Sequence, residues 1–141
     1  MDKRILAVDL GTKRVGLAVT DPLNIIAQTF KTIIFKSEKD LAHELKLAIE
    51  EKNIGTIVFG VPVTLGGKNS QKTDETIKLI DFLKTKLPED IIIELEDEAM
   101  TTQDAHEVMR EMGKKPSKNR DIVDQIAARF ILTAYMNRVR K

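Results

Sequence analysis

Cysteine and tryptophan are both absent from the 141-residue chain, and aromatic residues make up only 4% of it. The absence of cysteine excludes disulfide bonds, thiolate zinc sites and cysteine nucleophiles, and it fits the cytoplasmic location that we expect. Tyr135 is the single tyrosine, so we do not expect a surface that binds nucleic acid through extended stacking on unpaired bases.

Long apolar runs are also missing. No segment approaches the length of a membrane span, and the N-terminal stretch does not resemble a signal peptide, so we expect no membrane partner. Hydrophobic residues (42%) and charged residues (32%) instead occur in proportions typical of a globular protein. We therefore expect a single domain over residues 1–141, large enough to bury a core.

The chain carries no large excess of charge, since its formal net charge is +1, but its basic residues are unevenly distributed. One group lies in a short loop segment interrupted by Pro116 and consists of Lys114, Lys115, Lys118 and Arg120. Two interpretations of this group remain open: a local patch that binds phosphates, or a solvated charged loop.

Hydrophobic periodicity and turn residues predict elements in the order β-β-β-α-β-α-β-α-α. The predicted strands cover residues 4–8, 15–19, 28–35, 56–60 and 91–95, and the predicted helices begin near Ser37, Ser70, Thr101 and Arg120. The side chains expected to face the core from the last two helices include Met109, Met112, Ala127 and Phe130. An antiparallel meander followed by alternating helices and strands predicts an α/β fold, with a mixed sheet and helices on both faces.

Three acidic residues occupy positions where such a fold gathers ligands. Asp9 ends the first strand and Glu98 follows the last one, and ligands of open α/β sheets collect at the carboxyl ends of the strands. Asp124, on the last helix, joins them if that helix packs across the same end. Clustered carboxylates repel one another unless a cation lies between them, and Mg²⁺ ions held by carboxylates can promote phosphodiester hydrolysis.

Each of these acids also has a simpler interpretation. Asp9 precedes Leu-Gly-Thr and could be a turn residue, and Glu98 could stabilise a helix N-terminus through the helix dipole. Asp124 could pair with Arg120 or Arg129. Spacing alone does not decide between these interpretations and a metal site.

Other polar positions are weaker candidates. His43 and His106 are predicted to be surface residues of helices, since nothing near them in the sequence completes a metal set or a catalytic triad. The glycine-rich segment 60–67 could approach a phosphate backbone, but it lacks the Lys-Ser/Thr ending of a Walker loop. Asp97 and Asp121 are open as further metal ligands, although Asp121 also suits a helix start.

Four motifs follow one another along nearly the whole chain. They are Asp9-Leu-Gly-Thr-Lys-Arg-Val-Gly-Leu-Ala-Val-Thr-Asp21-Pro22, Gly60-Val-Pro62 with Gly66-Gly67, Asp97-Glu98-Ala99-Met100-Thr101-Thr102, and Asp124-Gln-Ile-Ala-Ala128 with Ile131-Leu132. Together and in this order they resemble the motifs of the YqgF family of Holliday junction resolvases, which has an RNase H-like fold.

The resemblance implies a five-stranded mixed sheet, with three antiparallel strands followed by two parallel ones, flanked by helices. It also implies a nuclease that depends on Mg²⁺ or Mn²⁺, with Asp9, Glu98 and Asp124 as the catalytic and metal-binding residues. The expected substrates are the 5′ end of pre-16S rRNA, branched four-way junction DNA, or both, and symmetric resolution of a junction would call for a homodimer. The expected phosphate-binding residues are Lys13, Arg14, Lys114, Lys115, Lys118 and Arg120.

One position departs from the family pattern, because Ala99 stands where the family has arginine after the Asp-Glu pair. This difference bears on substrate affinity more than on metal binding, and it leaves room for a non-catalytic, ribosome-associated RNA-binding module. A second alternative is an ATP-binding protein of the actin/Hsp70-like fold, whose first hairpin also begins with Asp-x-Gly-Thr. Those proteins enclose the nucleotide between two such domains, whereas this chain has the length of one.

Overall fold

A computed structural model of the protein describes residues 3–62, 71–98, 102–115 and 118–140 and contains the predicted elements in the predicted order. The strands are β1 (Arg4–Leu10), β2 (Arg14–Thr20), β3 (Ala27–Ile34), β4 (Ile54–Val61) and β5 (Ile92–Asp97). The helices are α1 (Glu38–Lys52), α2 (Gln71–Lys86), α3 (Thr102–Glu111) and α4 (Arg120–Val139). No helix within this part of the chain combines the length and the apolar character that a membrane crossing requires.

The strands form one mixed sheet in the order β3-β2-β1-β4-β5. The first three strands pair antiparallel, and β4 joins β1 in parallel and carries β5 in parallel on its other side. This is the predicted arrangement of three antiparallel and two parallel strands. Because β1, β4 and β5 run in the same direction, their carboxyl ends meet at one edge of the sheet, which we call the catalytic edge.

Side chains alternate between two apolar layers along each strand, as the pleat requires. On one face, Leu6 and Val8 pack with Leu41 and Leu45 of α1, and residues of α2 complete that layer. On the other face, Ala7 packs with residues of α4 that include Leu132. Helices therefore cover both faces of the sheet, and α4 covers one of them largely alone.

Four of the residues that face α4 from the sheet are small, and we call them the small-residue patch: Ala7, Gly16, Ala18 and Gly60. Val58 lies on the same face. A Cβ atom on Gly60 would overlap the side chain of Ile131, and one on Gly16 would overlap the backbone of Asp124. Helix α4 thus lies closer to the strands than larger side chains would permit.

Two helix ends show the signals that the sequence predicts. Ser37 caps α1, because its Oγ accepts a hydrogen bond of 3.0 Å from the backbone N–H of Asp40. Gly113 follows α3 with φ +75°, and the N–H groups of Gly113 and Lys114 donate to the carbonyls of Arg110 and Met109 at 2.9 and 3.0 Å. These bonds form a Schellman motif, which ends the helix. The predicted caps Ser70 and Thr101 lie outside the described residues.

Two predictions about the core are wrong. Met112 is 51% exposed because α3 ends at Glu111 and the Schellman motif turns the chain away, whereas Met109 is fully buried. Phe130 is 38% exposed because α4 presents a neighbouring stripe of its surface to the sheet. The residues of α4 that are buried are Ile126, Ala128, Ile131, Leu132, Tyr135 and Met136.

Candidate active site

Asp9 is the penultimate residue of β1, close to the catalytic edge. Its partner across the antiparallel β1–β2 pair is Gly16. Directly opposed residues point to the same face of a sheet, and the vacant side-chain position of Gly16 points at α4. The side chain of Asp9, which is half-buried, therefore starts on the face that α4 covers.

Asp124 lies in the second turn of α4, directly over Gly16. A Cβ atom on Gly16 would stand 3.0 Å from the Cβ atom of Asp124 and would overlap its backbone carbonyl. Any residue larger than glycine at this position would push the helix outward. Glycine at the cross-strand partner of Asp9 thus brings the backbone of Asp124 onto the same hairpin.

Glu98 follows β5 at the same edge. Its backbone N–H donates to the carbonyl of Val61 at 3.0 Å, which extends the parallel β4–β5 pairing one step beyond the last residue of β5. Two residues earlier, Glu96 accepts a hydrogen bond of 2.8 Å from Nε of Arg138, so the side chain of Glu96 lies on the α4 face. The two-residue period of a strand gives Glu98 the same side, whereas Asp97 is exposed on the other.

Asp9 and Glu98 start from strands that are separated by one other strand, β4. By the register of the sheet Asp9 is level with Glu96, and Glu98 lies two residues farther along, so the backbones of Asp9 and Glu98 are about 12 Å apart. The three predicted carboxylates come from three elements that meet at the catalytic edge, on the side of α4.

Asp124 has an ionic partner that the sequence analysis did not anticipate. Nε of Arg14 donates to Oδ2 of Asp124 at 2.8 Å, and the two side chains are only 28% and 24% exposed. The sequence suggested Arg120 or Arg129, which are near Asp124 on the same helix. Arg14 opens β2, two residues before Gly16, so the contact that seats α4 on Gly16 also brings these two side chains together.

A cleft of about 440 Å³ adjoins this ion pair at the start of α4. Its lining residues are Arg14, Lys118, Asn119, Arg120, Asp121 and Ile122. Three of the predicted phosphate-binding cations therefore share one cleft. Lys13, Lys114 and Lys115 are exposed but do not line it.

Other candidates from the sequence lie apart from this cleft or have structural contacts. His43 is exposed and His106 half-buried, both on helices. Asp121 is exposed and lines the cleft, and its backbone carbonyl accepts a hydrogen bond of 2.6 Å from Oγ1 of Thr32 on β3. Most of the segment 60–67 lies outside the described residues.

The donor chemistry of the three acids fits a divalent metal, since Mg²⁺ and Mn²⁺ take carboxylate oxygens. Within the described ranges, however, no three acidic or histidine side chains stand close enough together to form a ready metal site. The Asp124 carboxylate is instead engaged by Arg14. The three acids therefore have the ligand type and the position in the fold that suit a metal. A metal bound at Asp124 would have to displace Arg14 from it.

Two further features of this region were not predicted from the sequence. Gly16 lies inside the quoted first motif, and its role follows only from pairing with Asp9. The second feature is the Glu96–Arg138 pair, which fastens the far end of α4 to β5; the Glu96 carboxylate raises the pKa of the Arg138 guanidinium. Its only signal in the sequence is the alternation of Glu94, Glu96 and Glu98.

A five-stranded sheet in this order, with a long C-terminal helix across one face and acids at the carboxyl ends, defines the RNase H-like class to which RuvC-type resolvases belong. The fowlpox virus resolvase, solved in complex with Holliday junction DNA, superposes with a TM-score of 0.61 and 12% identity, over 98% of this chain and 99% of its own. RuvC of Thermus thermophilus gives a TM-score of 0.57 and 10% identity, over 96% of each chain. At these identities the two similarities establish the fold alone.

The model of the RuvX family, described as Holliday junction resolvase, matches residues 3–138, and the chain belongs to this family. A relative from Acetivibrio thermocellus, named "Putative pre-16S rRNA nuclease", is 36% identical over 135 residues, or 95% of each chain. Membership makes the protein a nuclease, a hydrolase of phosphodiester bonds. It favours this function over an ATP-binding protein and over a non-catalytic module.

Proposed function

We propose that the protein is a divalent-metal-dependent endonuclease whose metal is held by Asp9, Glu98 and Asp124. The observation that carries the proposal is the contact of Asp124 with Gly16, the cross-strand partner of Asp9. It gathers acids from a strand and a helix that are more than a hundred residues apart in the chain. Carboxylates that converge on one edge repel one another unless a cation lies between them, and Arg14 supplies such a charge at Asp124 in the free protein.

Nucleases and resolvases of this kind generally need divalent metals. A metal bound here would supply an activated water and stabilise the leaving oxygen of a phosphodiester. The residues of the chain do the rest: the three carboxylates fix the cation, and the cations of the cleft bind the phosphates of the substrate. Phosphate contacts of this type give affinity and register without reading sequence.

Precursor 16S rRNA is our first candidate substrate, at its 5′ end. Curated relatives of 35–36% identity that match nearly the whole chain carry the name of a pre-16S rRNA nuclease. The second candidate is four-way junction DNA, which the description of the family favours. The two candidates differ in one physical requirement, because symmetric cleavage of a junction needs two active sites and hence a homodimer.

A cleavage panel tests the proposal. Labelled 5′-extended 16S precursor RNA and four-way junction DNA are each incubated with the protein and Mg²⁺ or Mn²⁺. We expect Asp9→Asn, Glu98→Gln and Asp124→Asn each to lower the cleavage rate by about 100-fold or more, because a metal contributes several kcal/mol of charge stabilisation. Asp97→Asn is the matched control, an adjacent and exposed carboxylate on the other side of β5.

Failure of both substrates with both metals, or full activity of Asp9→Asn, contradicts the proposal. Light scattering on the same samples separates the two substrates: a monomer that cleaves only the RNA supports the first candidate, and a dimer that cuts the junction symmetrically supports the second.

A further inference from the structure

Arg14 belongs to two sites at once. Its Nε binds the Asp124 carboxylate at 2.8 Å, and the same residue lines the cationic cleft at the start of α4. Within the part of the chain that the structure describes, it is the one cation that both pairs with a proposed metal ligand and lines that cleft. The two roles draw on the charge of one guanidinium. Its five N–H groups can reach more than one acceptor, but a phosphate that contacts the guanidinium weakens the attraction between Arg14 and Asp124.

The charge of Arg14 also opposes a cation at Asp124. A unit positive charge in contact with a carboxylate cancels most of the attraction of that carboxylate for a second cation, and it repels the cation directly. Both side chains are about three-quarters buried, so water screens this repulsion less than it would on an open surface. Without substrate, the ion pair therefore weakens metal binding.

Bound substrate removes this opposition to metal binding. A phosphate in the cleft gives the guanidinium a new anionic partner, and Asp124 becomes available to the metal. We propose that Arg14 couples metal binding to nucleic-acid binding. It pairs with Asp124 in the free protein and transfers to a substrate phosphate when the nucleic acid binds. This inference rests on the proposed metal site. Because linkage is reciprocal, bound metal must strengthen nucleic-acid binding by the same factor.

The first test titrates Mn²⁺ alone into the protein by calorimetry. We expect Arg14→Gln to bind Mn²⁺ about five- to tenfold more tightly than the wild type, because it removes one unit charge beside the site. Arg120→Gln is the matched control, since it removes the same charge from the same cleft, whereas the salt bridge of Asp124 is with Arg14; its affinity for Mn²⁺ should stay within about twofold. Arg14→Lys keeps the charge and should also stay near the wild type.

The second test measures the coupling itself. Fluorescence anisotropy of a labelled four-way junction, with and without Ca²⁺ as an oxygen-seeking cation, gives the factor by which metal tightens binding. We expect this factor to be several-fold in the wild type and in Arg120→Gln, and close to one in Arg14→Gln. Circular dichroism of each variant verifies that it is folded.

The outcomes separate this inference from the proposed function. Mn²⁺ binding that disappears in Asp9→Asn but is unchanged in Arg14→Gln overturns the coupling and leaves the metal site standing. Mn²⁺ binding that is absent from Arg14→Gln as well as from the wild type, or insensitive to Asp9→Asn, overturns both. Equal tightening in Arg14→Gln and Arg120→Gln also overturns the coupling, because general charge would then explain the effect.

Discussion

Gly16 has no side chain, and this allows two of the proposed metal ligands to approach each other. It pairs with Asp9 on one side and receives the backbone of Asp124 on the other, so the distance between two proposed ligands depends on the absence of one methyl group. No titratable or nucleophilic chemistry marks this residue in the sequence. Its importance follows from two contacts that exist only in the folded sheet.

Gly16→Ala should therefore damage both stability and activity. The new Cβ atom would overlap backbone atoms of Asp124, which cannot rotate away, so α4 must shift. We expect a loss of about 1–3 kcal/mol in the free energy of unfolding, as for other overpacked cores. The displaced carboxylate should reduce cleavage by roughly 100-fold. Urea denaturation and the cleavage assay measure the two effects.

Gly113→Ala is a useful comparison for that variant. Its φ of +75° makes alanine strained, at a cost of about 1–2 kcal/mol, but no atom lies within 4 Å of the new methyl group. Gly113→Ala should therefore be less stable than the wild type but should keep the wild-type cleavage rate. Equal rates in the two variants would show that Gly16 is only a packing position.

At the scale of the elements, the order and type of the described strands and helices could be predicted from the sequence. Apolar runs such as residues 5–8 and caps such as Ser37 act on neighbouring residues, so they can be recognised in the sequence without knowledge of the fold. The orientation of α4 could not be predicted in the same way. Apolar residues occur around most of its circumference, so periodicity does not choose a face, and Phe130 was assigned to the wrong one.

The candidate site shows the same division between features that local sequence predicts and features that depend on long-range packing. The three acids could be proposed as ligands from the sequence because each stands at the end of an element or on a helix of a recognisable motif. Their partners were not found, since Arg14 and Asp124 are 110 residues apart and meet only when α4 crosses the β1–β2 hairpin. Long-range pairs of this kind need the fold before they can be seen.

The β2–β3 connection offers a test of stability against pH. The carboxylate of Asp21 accepts hydrogen bonds from the backbone N–H groups of Ile26 and Ile25, at 2.7 and 2.6 Å. These bonds hold the pKa of Asp21 below its usual value of 3.8. Folding thus favours the ionised form, so the stabilisation is complete above about pH 3.8 and is lost as the pH falls through the lower pKa of the folded state.

We expect Asp21→Asn to have a lower melting temperature than the wild type at pH 7, with a gap that narrows as the pH is lowered below 3.8. Calorimetric scans between pH 3 and pH 7 measure the gap. Asp40→Asn, at the start of α1, controls for the general loss of a carboxylate near a helix. A gap independent of pH would contradict the role given to the ionised Asp21.

For the whole molecule, a formal net charge of +1 means that attraction for nucleic acid must come from where the charges lie and not from their sum. The cationic cleft at the start of α4 concentrates them beside the catalytic edge. Binding should therefore weaken as salt rises, since phosphate contacts release counterions.

The double variant Lys118→Gln/Arg120→Gln should reduce the slope of log K against log salt concentration by about 2, one for each lost phosphate contact. Anisotropy titrations with the junction or the precursor RNA at several salt concentrations give the slope. Lys39→Gln/Lys46→Gln removes the same charge from exposed positions of α1, on the opposite face of the sheet, and should leave the slope unchanged. Equal slopes for the two double variants would contradict a cleft-specific contact.

The small-residue patch has a further consequence, in conformational entropy. Alanine and glycine lose no side-chain rotamer freedom when they are buried. Between the sheet and α4, the positions of Ala7, Gly16, Ala18 and Gly60 are therefore fixed by backbone shape, with no rotamers that could interchange. At Gly16 the partner strand of Asp9 meets the helix of Asp124 backbone to backbone, so no change of rotamer at that contact alters the spacing of the two backbones.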